Sequence, residues 1–108
     1  MVEAAEESTH VWSHKARSGL FLAAMRQRAA AFRAAGLPLT YRQLGEHPHS
    51  SLSPALATEI GSACQVVMLE AGDYRVQQAL QSTCAAAGIA LDSRLYPHFL
   101  CSIAEFNA

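Results

Sequence analysis

The sequence predicts an α/β fold in one domain, residues 1–108, with helices on both faces of a mostly parallel sheet in a three-layer α/β/α arrangement. Three observations lead to this fold class. Helix-like and strand-like segments alternate along the chain, and the connections between them are short, as in right-handed β-α-β units. One strand segment, Val66–Leu69, is apolar at every position, as strands covered on both faces are. With 51% hydrophobic residues, the chain is also able to bury a core.

The first half of the chain begins with an ambiguous segment. Glu3–Glu7 favours a helix by propensity, but the alternating pattern predicts that this stretch is the tail of a strand. A long helix is predicted from about Trp12 to Ala35, with Ser13 as its cap and Gly36 at its end. Its apolar face follows helical spacing and consists of Leu22, Met25, Ala29 and Phe32. A short strand, Leu39–Leu44, is predicted next.

The second half continues the alternation. A helix has Pro54 at its first position, and the apolar strand follows it. A tight turn leads into a helix from about Tyr74 to Ala87, which Gly88 ends in the left-handed conformation that favours glycine. A strand from about Ala90 to Leu95 follows, and Ser102–Glu105 matches a capping box that begins a further helix. The helix that begins at Pro54 has an apolar face of Leu56, Ile60 and Ala63. The helix from about Tyr74 to Ala87 has an apolar face of Val76, Leu80 and Cys84.

The charge balance limits the partners that the chain is expected to bind. The formal net charge is −1, and Lys15 is the only lysine. The arginines are spread along the chain, with Arg26 and Arg33 placed toward solvent, so no basic face for nucleic acid is expected. No apolar run approaches the ~18 residues of a membrane span, and the acidic start does not resemble a signal peptide. A cytoplasmic location without a membrane partner is therefore expected.

The cysteines and the first two histidines are weak candidates for chemistry. Cys64, Cys84 and Cys101 form no C-x-x-C pair, so they are predicted to be buried thiols rather than ligands of zinc or of an iron–sulfur cluster. His10 and His14 lie four residues apart but lack an evident third ligand, which favours a capping or solvated role over a metal site. No glycine-rich phosphate loop is present in the sequence.

Two polar stretches follow predicted strands and are better candidates for a site. Glu70–Arg75 comes directly after the apolar strand, and Glu6–His10 occupies the matching place after the first, partial strand. Ligands of open parallel sheets bind outside the carboxyl ends of the strands. The pattern therefore predicts a small-molecule site, with ordinary loop and capping roles as the alternative.

Four stretches in register resemble one protein family. They are Ser8–Lys15 with Leu20–Arg26, then Tyr41–Arg42, Val67–Val76 and Phe99–Phe106. Within them, Glu70–Val76 is similar to the motif Glu-Pro-Gly-Glu-Trp-Arg-Val of that family. Together they resemble the Rossmann-like N-terminal α/β domain of the bacterial, iron–sulfur-containing branch of the cryptochrome/photolyase family, which includes prokaryotic (6-4) photolyases. The chain departs from the family pattern at Ser13, Ala71 and Asp73–Tyr74.

The resemblance implies a light-harvesting role and a set of cofactor-binding residues. In that family the α/β domain holds an antenna chromophore, a ribityl-lumazine in the bacterial branch, which passes excitation to a flavin. Carried over by position, Glu7 is the polar contact to the antenna, and His10 stands where an aromatic residue lines the pocket. Phe21 lies on the helix beside the pocket, and Glu70 is a weaker candidate.

The resemblance also implies what would lie outside this sequence. The first strand of the family would precede Met1, so the sheet is expected to be truncated at that strand. A helical domain after Ala108 would bind FAD, the iron–sulfur cluster and DNA. The expected function is therefore a fragment of a deoxyribodipyrimidine photolyase-related protein that does not repair DNA alone. Two alternatives stay open: a non-catalytic domain that forms homo-oligomers through exposed strand edges, and a small Cys- or His-dependent enzyme.

Overall fold

The structure, a computed structural model, describes residues 1–61, 65–98 and 101–107. Along these residues, three helices are followed by a strand, a helix, a second strand and a short helix. They are α1 (Ala5–Thr9), α2 (Lys15–Ala34), α3 (Leu52–Ile60), β1 (Gln65–Leu69), α4 (Tyr74–Ala86), β2 (Ala90–Arg94) and α5 (Ile103–Phe106). The chain divides into two compact units, Met1–Ala55 and Leu56–Ala108, and the division falls within α3.

In the first unit, the N-terminal segment pairs with a segment some forty residues later in the chain. Val2 forms an isolated parallel bridge with Arg42. The backbone N–H of Glu3 donates to the carbonyl of Arg42 at 2.9 Å, and the N–H of Arg42 donates to the carbonyl of Met1 at 3.0 Å. The pairing stops there because α1 begins at Ala5 and turns the chain away from the extended conformation.

The long helix α2 begins later than the sequence predicts. Its N-cap is His14 in place of Ser13, and Nδ1 of His14 accepts a hydrogen bond from the backbone N–H of Ala16 at 3.2 Å. The helix ends as expected, because Gly36 adopts a positive φ of 72°. The predicted apolar face is confirmed by burial, since the less exposed positions of the helix include Leu22, Met25, Ala29 and Phe32.

In the second unit, β1 and β2 form a two-stranded parallel sheet. Their register runs from Gln65 opposite Ala90 to Leu69 opposite Arg94. Helix α4 connects the two strands and contacts one face of the sheet, where Nε2 of Gln77 donates to the hydroxyl of Ser93 at 3.0 Å. This β-α-β arrangement is the parallel pairing that the alternating pattern predicts.

The helices of the second unit begin and end with specific caps. Asp73 caps α4, and its Oδ1 accepts from the backbone N–H of Arg75 at 2.8 Å, which lowers the pKa of Asp73. Gly88 follows the helix with a φ of 68°, as predicted. The capping box is also confirmed: Ser102 N donates to Glu105 Oε2 at 2.7 Å, and Glu105 N donates to Ser102 Oγ at 3.2 Å.

One face of the small sheet is open to solvent. Because side chains alternate along a strand, the face opposite Ser93 carries Gln65, Val67 and Leu69 of β1 with Ala90, Asp92 and Arg94 of β2. Val67 is 49% exposed and Leu69 is 48% exposed. Asp92 and Arg94 form an ion pair at 2.9 Å on the same face. The open face therefore combines two large apolar side chains and an alanine with an amide, one acid and one base.

The observed architecture is mixed α/β with fewer strand residues than predicted. The predicted strand Leu39–Leu44 is wrong in its extent, since only Arg42 pairs, through the isolated bridge to Val2. The strand tail predicted at Glu3–Glu7 is also wrong from Ala5 onward, because local helix propensity prevails once the short pairing ends. Mixed α/β with parallel pairing is thus confirmed, and the three-layer arrangement stays a prediction.

The cysteines divide into one buried and one exposed thiol. Cys84, on the apolar face of α4, is 1% exposed, as predicted. The prediction is wrong for Cys101, which is exposed because it directly precedes the polar capping box, where its thiol donates to the carbonyl of Ser102 at 3.3 Å. Cys64 and Ala63 lie outside the described residues. Within the ranges that the structure describes, no helix has both the length and the apolarity of a membrane span.

Candidate functional site

A cleft with a volume of about 590 Å³ lies within the first unit. The N-terminal segment, α1 and α2 contribute most of its walls, together with Leu52 at the start of α3. Its apolar lining consists of Val2, Ala4, Val11, Phe21, Leu22, Met25 and Leu52. Its polar lining consists of Glu3, Glu7, Ser8, Ser13, Arg17 and Ser18. A mostly apolar cleft of this volume with a few convergent polar groups has the character of a small-molecule site.

The cleft brings together two of the four predicted site residues. Glu7 lines it from α1 and Phe21 lines it from α2. His10 is exposed at the C-terminal cap of α1, where its backbone N–H donates to the carbonyl of Glu6 at 2.8 Å, and it is not part of the lining among the residues described. Glu70 belongs to the second unit. The roles given to all four residues stay predictions.

Glu3 places a buried carboxylate in the wall of the same cleft. Its side chain receives two hydrogen bonds from Arg26, from Nε to Oε1 at 2.8 Å and from Nη2 to Oε2 at 2.9 Å. The hydroxyl of Tyr41 also donates to Oε1, and the backbone N–H of Leu44 donates to Oε2 at 2.9 Å. Nε2 of His47 lies 3.0 Å from the backbone carbonyl oxygen of Glu3. One carboxylate thus joins the N-terminal segment, α2 and the chain around residues 41–44.

These donors keep Glu3 ionised. The hydrogen bonds from Arg26, with further ones from Tyr41 and Leu44, lower the pKa of Glu3 from 4.5 to about 2, although burial acts in the opposite direction. Burial and the hydrogen bond to Glu3 raise the pKa of Tyr41. The same carboxylate raises the pKa of Arg26 further above its ordinary value. Near neutral pH the group is therefore a fixed ion pair that supports the cleft wall, and it is unsuited to exchange protons with a ligand.

Arg17 and two serines form a second polar region of the lining. Oγ of Ser13 and Oγ of Ser18 lie 3.3 Å apart, so either hydroxyl can donate to the other. The guanidinium carbon of Arg17 lies 5.8 Å from the centroid of the Phe21 ring, which is a cation–π contact between side chains four residues apart in α2. This region therefore places hydroxyl groups, a positive charge and an aromatic ring in one cleft.

Exposed apolar side chains accompany the cleft. Phe21 is 60% exposed and Val11 is 72% exposed, and both line it. Trp12, the only tryptophan of the chain, stands between the lining residues Val11 and Ser13 and is 91% exposed. A ligand in the cleft would therefore find apolar surface that is accessible from solvent.

A smaller cleft with a volume of about 400 Å³ lies in the second unit. Because β1 ends at Leu69 and β2 ends at Arg94, its lining residue Glu70 directly follows one strand and its lining residue Leu95 directly follows the other. The cleft therefore occupies the carboxyl end of the parallel sheet, as the sequence pattern predicts for Glu70. Glu105 also lines it, and hydrogen bonds from Ser102 lower the pKa of that carboxyl.

Neither unit contains a candidate metal site within the residues that the structure describes. Among residues 1–61, 65–98 and 101–107, no group of three His, Cys, Asp or Glu side chains is placed to hold a metal ion.

The sequence pattern did not identify Glu3 as part of the cleft lining, nor Tyr41 and Arg26 as the partners of its carboxylate. Arg26 is exposed over half of its side chain, as its predicted position toward solvent implies, and its guanidinium also binds Glu3, which the pattern does not predict. Glu3 stands between Val2 and Ala4 in a segment that pairs with a later one, and an acid that becomes buried in such a segment needs a partner.

The sequence matches, over residues 1–108, the family described as deoxyribodipyrimidine photo-lyase-related protein. No curated protein matches the chain significantly. The matched range includes the lining residues of both clefts and the Glu3 ion pair.

Proposed function

The chain belongs to the deoxyribodipyrimidine photolyase-related protein family, and on this premise we propose that its first unit binds a light-harvesting antenna chromophore of the ribityl-lumazine class. We also propose that the chain belongs to the bacterial iron–sulfur branch of the family and corresponds to the Rossmann-like antenna domain of that branch. The proposal assigns no DNA repair to the described residues, because FAD, the cluster and DNA are bound by the helical domain of the proteins that the sequence resembles. A cytoplasmic location is part of the proposal, since Cys84 and Cys101 are free thiols, as in a reducing compartment.

The observation that supports this proposal most directly is the meeting of Glu7 and Phe21 in one cleft. Both residues were selected by their positions in the family pattern, and they come from different helices, α1 and α2. A volume of about 590 Å³ is sufficient for a heteroaromatic ring with a polyol side chain. Glu70 lies in the other unit, so the proposal for the antenna rests on the first unit alone.

The lining residues suit the parts of a ribityl-lumazine. The Phe21 ring offers an aromatic face for stacking, and Leu22 and Met25 extend the apolar surface beside it. The carboxylate of Glu7 is able to accept hydrogen bonds from a ring N–H or from hydroxyls of the side chain. Ser13 and Ser18 offer hydroxyls for the polyol. When bound, a lumazine absorbs near-ultraviolet or blue light and passes the excitation to a flavin.

Binding of a ribityl-lumazine to the purified chain tests the proposal. We expect saturable binding by isothermal calorimetry, weakened about tenfold or more in Phe21→Ala through loss of stacking and in Glu7→Gln through loss of a charged acceptor. Phe106→Ala is the matched control, because Phe106 is 84% exposed and lies in the other unit. Absence of binding by the unchanged protein, or equal losses in Phe106→Ala, would contradict the proposal.

A second candidate function is association with another copy of this chain through the open face of the sheet. The two strands of the sheet have outer edges that no further strand covers among the residues described. The open face carries Val67 and Leu69 with Asp92 and Arg94. Asp92 and Arg94 compensate each other's charge within this face, so the two side chains do not repel the same face of a second copy.

A further inference from the structure

The cleft of the first unit contains one positive charge for which a neutral chromophore offers no negative group. Its charged lining residues are Glu3, Glu7 and Arg17. The charge of Glu3 is compensated by Arg26, which donates two hydrogen bonds to its carboxylate. Arg17 is therefore the cation that the cleft presents to a ligand. A neutral chromophore would make no use of it.

Arg17 is positioned by an aromatic contact. Its guanidinium carbon lies 5.8 Å from the centroid of the Phe21 ring. Within residues 1–61, 65–98 and 101–107, no carboxylate lies at ion-pair distance from Arg17. The guanidinium thus lies over one face of the Phe21 ring, close to where a heteroaromatic ligand would stack on that ring, and its positive charge is left to be paired by a ligand.

Hydroxyl donors lie in the same lining. Ser13 Oγ and Ser18 Oγ are 3.3 Å apart and partly buried, and Ser8 also lines the cleft. A hydroxyl in a mutual pair keeps further hydrogen-bonding capacity, because it has one donor and two acceptor sites. Guanidinium and hydroxyl groups together are the donors that bind the oxygens of a phosphate monoester.

We propose that Arg17 selects, for this cleft, a heteroaromatic ligand whose polyol side chain ends in a phosphate ester over the same ligand without the phosphate. The inference rests on the proposed function and extends it from the ring to the charged end of the ligand. The ring lies against Phe21, the phosphate pairs with Arg17, and Ser13 and Ser18 donate to the remaining oxygens. Glu7 accepts from hydrogen-bond donors of the ligand.

Riboflavin and its 5′-phosphate, FMN, are suitable probes because they share a ring system and a ribityl chain and differ by one phosphate. We expect the unchanged chain to bind FMN about tenfold more tightly than riboflavin at low salt, since a charge-assisted hydrogen bond is lost with the phosphate. The preference is expected to shrink as the ionic strength rises, because Arg17 is exposed and its charge is screened.

Calorimetric titration of three proteins with both probes tests the inference. Arg17→Gln is expected to bring the ratio of FMN affinity to riboflavin affinity close to one, because the charged contact to the phosphate is removed. Arg28→Gln is the matched control: its guanidinium carbon lies 4.7 Å from the Phe32 ring centroid on the same helix, and neither residue lines the cleft. It is expected to retain the tenfold preference.

The outcomes separate this inference from the function on which it rests. If the unchanged chain binds a ribityl-lumazine and riboflavin but shows no preference for FMN, the proposed function stands and the role of Arg17 is refuted. A preference that survives in Arg17→Gln, or that falls equally in Arg28→Gln, also overturns it. If none of the three compounds binds, both proposals fail together.

Discussion

Glu3 couples the stability of the first unit to pH. Its pKa is about 2 in the folded chain and 4.5 ordinarily, so the folded state binds its proton more weakly than the unfolded state does. The stabilisation is therefore complete above about pH 5 and is lost as the pH falls toward 2. We expect Glu3→Gln to reduce the free energy of unfolding near pH 7 by about 2 kcal/mol and to flatten its dependence on acid, measured by urea unfolding between pH 3 and pH 7.

Tyr41→Phe separates the charge of Glu3 from its hydrogen bonds. The variant removes one donor to Oε1 and keeps both hydrogen bonds from Arg26. We expect a loss of about 1 kcal/mol that leaves the acid dependence largely intact. Equal acid dependence in Glu3→Gln and the unchanged protein would show that another group controls the acid transition.

Among individual residues, the sequence identified some that line the cleft and missed others, and the difference has a physical reason. Glu7 and Phe21 could be named because they occupy positions of a family pattern, and the structure places both in one cleft. The partners Glu3, Arg26 and Tyr41 lie far apart in sequence and meet only through tertiary pairing. Helical periodicity places Arg26 beside the apolar face of α2, but it contains no information on which acid will approach that face.

Two glycines make opposite contributions to the helices that contain or precede them. Gly19 lies within α2, and Gly88 follows α4 with a φ of 68°; a Cβ at either position meets no atom within 4 Å. Alanine at position 19 removes backbone freedom from the unfolded chain, so we expect Gly19→Ala to stabilise by about 0.5–1 kcal/mol. Alanine at position 88 must adopt a left-handed conformation, so we expect Gly88→Ala to destabilise by about 1 kcal/mol.

Urea unfolding of the two alanine variants measures these effects, and Gly88→Asn serves as the control. Asparagine tolerates the left-handed conformation better than alanine does, so we expect Gly88→Asn to recover part of the loss. The same sign for Gly19→Ala and Gly88→Ala would contradict the assignment of Gly88 as a C-terminal cap.

Elements with strong local signals were predictable, and those that depend on distant pairing were less so. Helix α4 begins and ends within one residue of its prediction, because Asp73 and Gly88 define its caps. The predicted strand Leu39–Leu44 shrinks to one bridge at Arg42, because its extent depends on how long the N-terminal segment stays extended. That segment becomes helical at Ala5, and the β propensity of residues 39–44 does not predict where their partner segment stops being extended.

At the scale of the whole molecule, the open face of the sheet predicts a concentration-dependent mass. We expect light scattering coupled to gel filtration to show a monomer–dimer equilibrium that Leu69→Lys shifts toward the monomer, because a charge in an apolar interface is costly. Leu20→Lys is the matched control, since Leu20 is 71% exposed and lies in the other unit. A mass independent of concentration, or an equal shift in Leu20→Lys, would count against association through this face.

The parallel pairing of β1 and β2 was predictable because a single helix connects them, and such a helix is the usual crossover between neighbouring parallel strands. The open face was not predictable, because the apolar run Val66–Leu69 is typical of a strand covered on both sides. In the structure, α4 contacts the face that carries Ser93, while Val67 and Leu69 on the opposite face are about half exposed. An apolar run indicates that a strand favours burial on both faces. Its actual exposure depends on which other elements of the folded chain pack against it.

The lone, exposed indole of Trp12 beside the cleft supplies the chain with an internal reporter. Because Trp12 is the only tryptophan, its emission comes from one known position, and an indole that is 91% exposed emits as it does in water. A chromophore that absorbs in the near ultraviolet would receive this emission through space, without contact. Occupancy of the cleft is therefore readable from the quenching of native fluorescence, with no label attached to the protein.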